Sequence, residues 1–263
     1  MSKQPTIARI TVYPIKSLDG HELQSSQVLS CGALVGDRQF ALVDSWSKFV
    51  NGKTSPEIHN IRSTFTDDLQ EVELSCGQER KNFSLETEQE QIGQWCSEYV
   101  GKKCRLIENR DGGFPDDSDA PGPTLVSTAT LEAVSTWYEG VDLAEIRRRF
   151  RFNLEVADTP PFWEDGLVPP EHAVRRFHTG DIVWQGYGVC RRCVVPTRDS
   201  LDGSTTAGFA RQFTDRREQE LPDWAPRDRF DTFYRLGVNM RIESDADAAV
   251  IRIGDPVSIA DHP

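Results

Sequence analysis

The sequence predicts a mostly β chain with a few helices, an α+β protein in which an N-terminal barrel-like unit precedes a second β unit. Three observations carry this expectation. Short runs of alternating, β-branched and aromatic residues recur along the chain, turn residues separate them, and helical periodicity is confined to three stretches.

The elements follow in order. Residues 6 to 15 (Thr-Ile-Ala-Arg-Ile-Thr-Val-Tyr-Pro-Ile) alternate with period two, and similar runs lie at 22 to 29, 38 to 44, 57 to 65, 71 to 75 and 82 to 85. Gly, Asp, Asn and Ser between them predict turns, and many short strands with turns predict a barrel or sandwich. From Gln89 to Val100, Ile92, Trp95, Cys96 and Tyr99 fall on one helical face, with Gly101 placed to end the helix. A strand at 103 to 107 closes the first half. Residues 109 to 123 are acidic, rich in Gly and Pro and without periodicity, which predicts a linker between residues 1–108 and 124–263.

Beyond it, Ser127 stands where its hydroxyl can cap a helix, and Asp142-Leu-Ala-Glu145 reads as a capping box opening a second one. Strands are expected at 152 to 156, 180 to 185, 236 to 242 and 250 to 259, the last broken by Gly254-Asp255-Pro256. The second half is thus expected to be β structure with two helices.

Composition excludes several classes. The chain of 263 residues has a formal charge of -12, shared evenly between 1–123 (13 Lys/Arg, 19 Asp/Glu) and 124–263 (17 against 23). Neither part is a basic nucleic-acid arm, so no nucleic-acid partner is expected. No run approaches the eighteen or so apolar residues of a membrane span, and the N-terminus lacks the pattern of a signal or transit peptide. The expectation is a cytoplasmic protein without a membrane partner, acting on a small molecule.

Six cysteines occur, and only Cys190 and Cys193 lie close together, as Cys190-Arg191-Arg192-Cys193. Two adjacent guanidinium groups are expected to favour thiolate over thiol at both cysteines, and a thiolate is a nucleophile, a redox group and a soft-metal ligand. Zinc would need about four ligands, whereas the chain has no second C-x-x-C and His172 and His178 are six apart. A dithiol of the thioredoxin kind wants a helix after the motif, against which Pro196 argues. Two inert, partly buried cysteines remain the plain alternative.

The motif has company. Pro14-Ile-Lys16-Ser17-Leu-Asp-Gly20, Gly36-Asp37-Arg38, Arg151-Phe-Asn153, Cys190-x-Arg192-Cys193-x-x-Pro196-Thr-x-Asp199 and Gly254-Asp255-Pro256-Val257 occur in an order that resembles the MOSC family. The resemblance spans nearly the whole chain and implies an N-terminal MOSC β-barrel domain followed by a MOSC β-barrel domain. By pattern the chain is similar to the amidoxime-reducing component and its bacterial counterparts, and to the C-terminal part of molybdenum cofactor sulfurases. This implies a molybdenum-molybdopterin cofactor, no pyridoxal phosphate, and reduction of N-hydroxylated small molecules.

The same resemblance makes Cys193 the metal ligand and catalytic residue, with Cys190 a neighbour. It gives the cofactor to Lys16, Ser17, Arg38, Lys53, Ser127, Thr128, Arg151, Asn153, Arg192 and Asn239. A pterin phosphate calls for cations and donors of this kind, and Ser127 and Thr128 would offer a helix N-terminus. Read alone, Lys16 and Arg38 could be surface ion pairs, Arg147 to Arg149 a solvated helix face, and Ser127 a simple cap. Arg191 departs from the pattern, which has Ser there in close relatives. No plant-type iron-sulfur cysteine run follows residue 199, so electrons are expected from a separate protein, a reductase or ferredoxin-like partner. A carrier of molybdenum cofactor or sulfur, without turnover of its own, is the alternative.

Overall fold

The structure is a computed structural model that describes residues 3–170, 173, 175–243 and 249–259. His172, weighed above as a zinc ligand, lies outside the described residues. The first half contains β1 (Thr6–Val12), β2 (His21–Leu23), β3 (Ser25–Gln27), β4 (Phe40–Asp44), β5 (Arg62–Phe65), β6 (Glu71–Cys76) and β7 (Glu79–Ser84). The strand expected at 57 to 65 starts late. Pro56 has no amide hydrogen for a ladder, and Pro56–Asn60 form a 3-10 turn before β5 begins. Helix α1 (Gln89–Val100) has the expected limits, because Gly101 adopts φ 74 there and closes the last turn. β8 (Cys104–Glu108) then pairs with β4.

The second half holds β9 (Thr124–Ser127), α2 (Thr128–Ser135), α3 (Leu143–Phe150), β10 (Leu154–Ala157), β11 (Arg176–Thr179) and β12 (Ile182–Arg191). They are followed by α4 (Phe209–Gln219), β13 (Arg235–Ile242), β14 (Val250–Arg252) and β15 (Val257–Ile259). Gly180, expected inside a strand, is instead the turn between β11 and β12, with φ 56. Helix α4 was not expected. Its buried face consists of Phe209, Phe213 and Arg217, so a charge occupies the position where helical periodicity looks for an apolar residue.

Eight strands form one sheet in the order β15-β11-β12-β13-β9-β10-β1-β2. β9 and β10 run parallel and the other neighbours are antiparallel. The start of β1 also reaches the chain leading into β15: Ile7 N–H donates to Asp255 O at 2.9 Å, and Val257 N–H to Pro5 O at 2.8 Å. The segment leading into β15 thereby meets the start of β1, which curls the sheet round on itself, while among the described residues β2 pairs only with the end of β1. Ile7, Ile10, Leu125, Leu154, Phe177, Trp184, Val238 and Met240 fill the interior, each nearly inaccessible.

Two further cores flank this one. β4 to β8 and α1 bury a cluster that includes Leu42, Ile58, Leu74, Phe83 and Ile92, and α2, α3 and α4 bury another that includes Leu131, Ile146, Phe150, Phe209 and Phe213. Residues 109–123 join two lengths of chain that share a sheet, and they pack against both: Lys16 Nζ donates to Phe114 O at 2.7 Å, and Arg241 donates to Asp119 O.

Candidate functional site

The cores meet around a cavity of about 860 Å³. Its wall carries thirteen Arg and Lys residues against six Asp and Glu, in a chain whose net charge is -12. A low-dielectric concavity concentrates that excess of cations, which makes the cavity attractive to anions. Of the residues expected at the site, Lys16, Ser17, Arg38, Lys53, Arg151, Arg192, Cys193 and Asn239 line it.

The backbone prepares three of these positions. Ser17, Arg38 and Arg151 have φ of 75, 50 and 56, a left-handed conformation that costs an L residue about 1 kcal/mol or more. At Arg151 this conformation caps the end of α3. Tyr13 stands between the two arginines, with Arg38 5.4 Å and Arg151 4.1 Å from its ring. A Cβ on Gly20 would lie 2.7 Å from this ring, so the glycine ending the Lys16-Ser17 motif keeps Tyr13 in place. Burial pushes the Tyr13 hydroxyl up to about 12, more than the arginines lower it. The ring is therefore a neutral platform for two cations.

Lys16 is buried and gives Nζ to Asp116 at 2.9 Å, while Lys53 Nζ is 3.5 Å from the same carboxylate. Burial lowers the Lys16 pKa, and Asp116 opposes that. Burial works against the Asp116 charge, yet Lys16, Arg38 and Lys53 outweigh it and hold the carboxyl well below its usual range. Arg38 is further paired with Asp37.

Cys193 sits half-buried in the turn after β12, where Val195 N–H points to its Sγ at 3.5 Å. Cys190 differs. It is 4% exposed, its Sγ donates to Asn239 Oδ1 at 2.8 Å, and burial pushes the thiol up to about 12. The expectation that the flanking arginines favour thiolate at both cysteines is thus corrected at Cys190, where burial wins. Asn239 is held in turn by Asp117, 3.2 Å away. Arg192 lies over the rings of Phe150 and Phe152 at 5.2 and 5.0 Å, donates to Phe150 O, and leaves its buried Nε without a partner.

The structure does not bring Ser127, Thr128 and Asn153 to the cavity wall. Ser127 is fully buried and meets Thr159 Oγ1 at 2.7 Å, so the expected cap bond at the start of α2 is absent. Thr128 Oγ1 is 3.5 Å from Glu155 Oε2. Asn153 is 1% exposed and acts from behind: it accepts from Thr124 N–H at 3.1 Å and donates to Thr11 O at 3.0 Å. Asp142 caps α3 as expected, accepting from Glu145 N–H at 2.7 Å. The Glu145 side chain does not complete the box; it binds Arg149 at 2.6 Å and Ser200. The arginine run is likewise not a solvated face, because Arg149 is 3% exposed and Arg147 makes two 2.8 Å bonds to Glu155.

Tyr13, Asp116, Arg229 and Arg235 also line the cavity, and the sequence reading missed them. Tyr13 lies one residue before a motif that was read, a signal that could have found it; the others carry no motif.

The donor set fits a molybdenum-pterin group. An accessible thiol faces the same cavity as cations on left-handed turns, and the partnerless Arg192 Nε is the kind of orphaned donor that a bound anion satisfies. Among the described residues no three His, Cys, Asp or Glu side chains converge as a metal site, so a metal here would need ligands from a cofactor.

Comparison with known proteins agrees in part. Residues 4–91 match the MOSC N-terminal beta barrel domain. The chain is similar to molybdenum cofactor sulfurase of Caenorhabditis elegans, 24% identical over 243 residues, 83% of this chain and 32% of that protein. It is similar to molybdenum cofactor sulfurase of Danio rerio, 26% identical over 156 residues, 50% of this chain and 18% of that one. The chain therefore spans about a third or less of the curated relatives it matches. YuaD of Bacillus subtilis has a solved structure with 12% identity and a TM-score of 0.42, covering 98% of this chain and 97% of that one. No described helix is long and apolar enough to cross a membrane. Residues 4–91 of this protein thus belong to the MOSC N-terminal beta barrel domain family.

Proposed function

We propose that this protein binds a molybdenum-pterin cofactor in the cavity, with the Cys193 thiolate as the protein ligand to the metal, and reduces N-hydroxylated small molecules such as amidoximes or hydroxylamines. One observation carries the reading: the half-buried Cys193 opens on the same cavity as Lys16, Ser17, Arg38, Lys53, Arg151 and Arg192. When bound, the cofactor supplies the two-electron reduction of an N–O bond. The chain's own residues bind and orient. Lys16, Arg38, Lys53 and Arg151 offer their charges to the phosphate and pterin, and Arg192 places a donor beside the thiol. Electrons come from a separate reductase or ferredoxin-like protein, and Ser127, Thr128 and Asn153 support the wall rather than touch the group.

The relatives' name, molybdenum cofactor sulfurase, favours a second reading in which the protein carries cofactor or sulfur on Cys193 to another enzyme. A dithiol mechanism is disfavoured, since the Cys190 thiol stays protonated over the physiological range.

Protein made in a host that synthesises the cofactor is expected to hold near-stoichiometric molybdenum and pterin, by elemental analysis and pterin fluorescence. Cys193→Ala should lose the metal and the reduction of benzamidoxime by a chemical reductant. Protein without metal or pterin would sink both readings; loaded protein that transfers its load without turnover would select the carrier.

A further inference from the structure

Apart from Arg192, the cations assigned to the cofactor come from the segments around Lys16, Arg38, Lys53 and Arg151. The cavity has another group. Arg191 ends β12, Arg229 ends the 3-10 turn Arg227–Arg229, and Arg235 begins β13; all three line the cavity that holds Cys193.

Arg191 and Arg235 are direct partners across the β12–β13 ladder. Like charges in that position repel, and the carboxylate placed to relieve them, Asp231, is committed to one side. It lies 2.8 Å from Arg235 but 3.9 Å from Arg191, whose side chain is 71% exposed. Two backbone carbonyls orient the other guanidinium groups: Arg229 Nη2 donates to Tyr187 O at 2.9 Å, and Arg235 Nη1 to Val189 O at 2.6 Å; Asp231 balances Arg235, so the excess charge lies on Arg191 and Arg229. These carbonyls flank Gly188, which puts no side chain between them and the cavity. Asp117, on the facing loop, is engaged with Asn239.

Fixed guanidinium forks with excess charge suit a planar anion that can accept two parallel hydrogen bonds. We infer that Arg191, Arg229 and Arg235 form a carboxylate subsite beside Cys193, which selects substrates bearing a carboxylate apart from the group that reacts. The inference rests on the proposal that Cys193 marks the reaction centre.

Calorimetric titration of the holoprotein with 4-carboxybenzamidoxime and with benzamidoxime, without reductant, tests it. The carboxylate probe should bind about tenfold more tightly than the neutral one. Arg229→Met and Arg191→Ser should each abolish most of that preference and leave benzamidoxime binding unchanged, while Arg229→Lys should restore part of it. Equal binding of the two probes by the unmodified protein, or loss of both probes together in the variants, would overturn the subsite. Turnover read separately with a chemical reductant distinguishes the failures. A binding preference without turnover leaves the subsite standing and defeats the reductase reading; turnover of both probes without preference does the reverse.

Discussion

At the scale of single residues, the cavity already contains an anion of its own. Asp116 sits among Lys16, Lys53 and Arg38, where the charges would otherwise repel one another. An external anion must displace that carboxylate or share its partners. Asp116→Asn is therefore expected to tighten binding of inorganic phosphate several-fold, measured by calorimetry. Because its neighbours hold the Asp116 carboxyl well below the usual range, mild acidification to pH 5 should not mimic the substitution. An unchanged phosphate affinity would show that Asp116 does not compete for the cations. The cysteines teach a related lesson at this scale, since two thiols three positions apart differ in environment as strand end and turn.

Among the elements, α4 is held to the barrel by buried charge. Arg217 is fully inaccessible, pairs with Asp165 and lies 4.3 Å from the Phe162 ring and 5.1 Å from that of Phe230. Beside it Glu164 is equally buried and accepts from Thr130 Oγ1 at 2.9 Å. Burial, and then the Asp165 charge, push the Glu164 carboxyl up to about 8. Below the ordinary carboxylate range the folded and unfolded chains both carry this proton. As pH rises towards 8 the unfolded chain releases it while the folded chain keeps it, so Glu164 makes stability fall over that interval. Glu164→Gln should flatten this decline, so that urea denaturation shows the variant gaining on the parent between pH 5 and 8. Parallel pH profiles would refute the assignment. This arrangement also explains why α4 escaped the sequence reading: Arg217 becomes a core residue only because Asp165 and two rings arrive from elsewhere.

Over the whole molecule, charge is separated by place. A chain of net charge -12 turns a cation-rich cavity inward, so binding of anions should depend on ionic strength and binding of neutral ligands should not. Raising salt from about 0.05 to 0.5 M is expected to weaken phosphate binding several-fold and leave benzamidoxime binding within error, as read by calorimetry. Equal salt sensitivity would mean that the cavity's charges are already neutralised.

The mostly β fold class, the limits of α1, the Asp142 cap and the motifs containing Lys16, Arg38, Arg151 and Cys193 were all legible in the amino-acid order. These depend on local preference: alternation, a left-handed glycine, a side chain within reach of its own backbone. Which of those residues share a cavity emerged from the folded arrangement. Strand pairing carried Ser127 and Asn153 out of the cavity wall, burial set Cys190 apart from Cys193, and the curl of the sheet joined the start of β1 to the segment leading into β15. Such outcomes turn on dielectric environment and on partners distant in sequence, and neither is written in the spacing of residues along one segment.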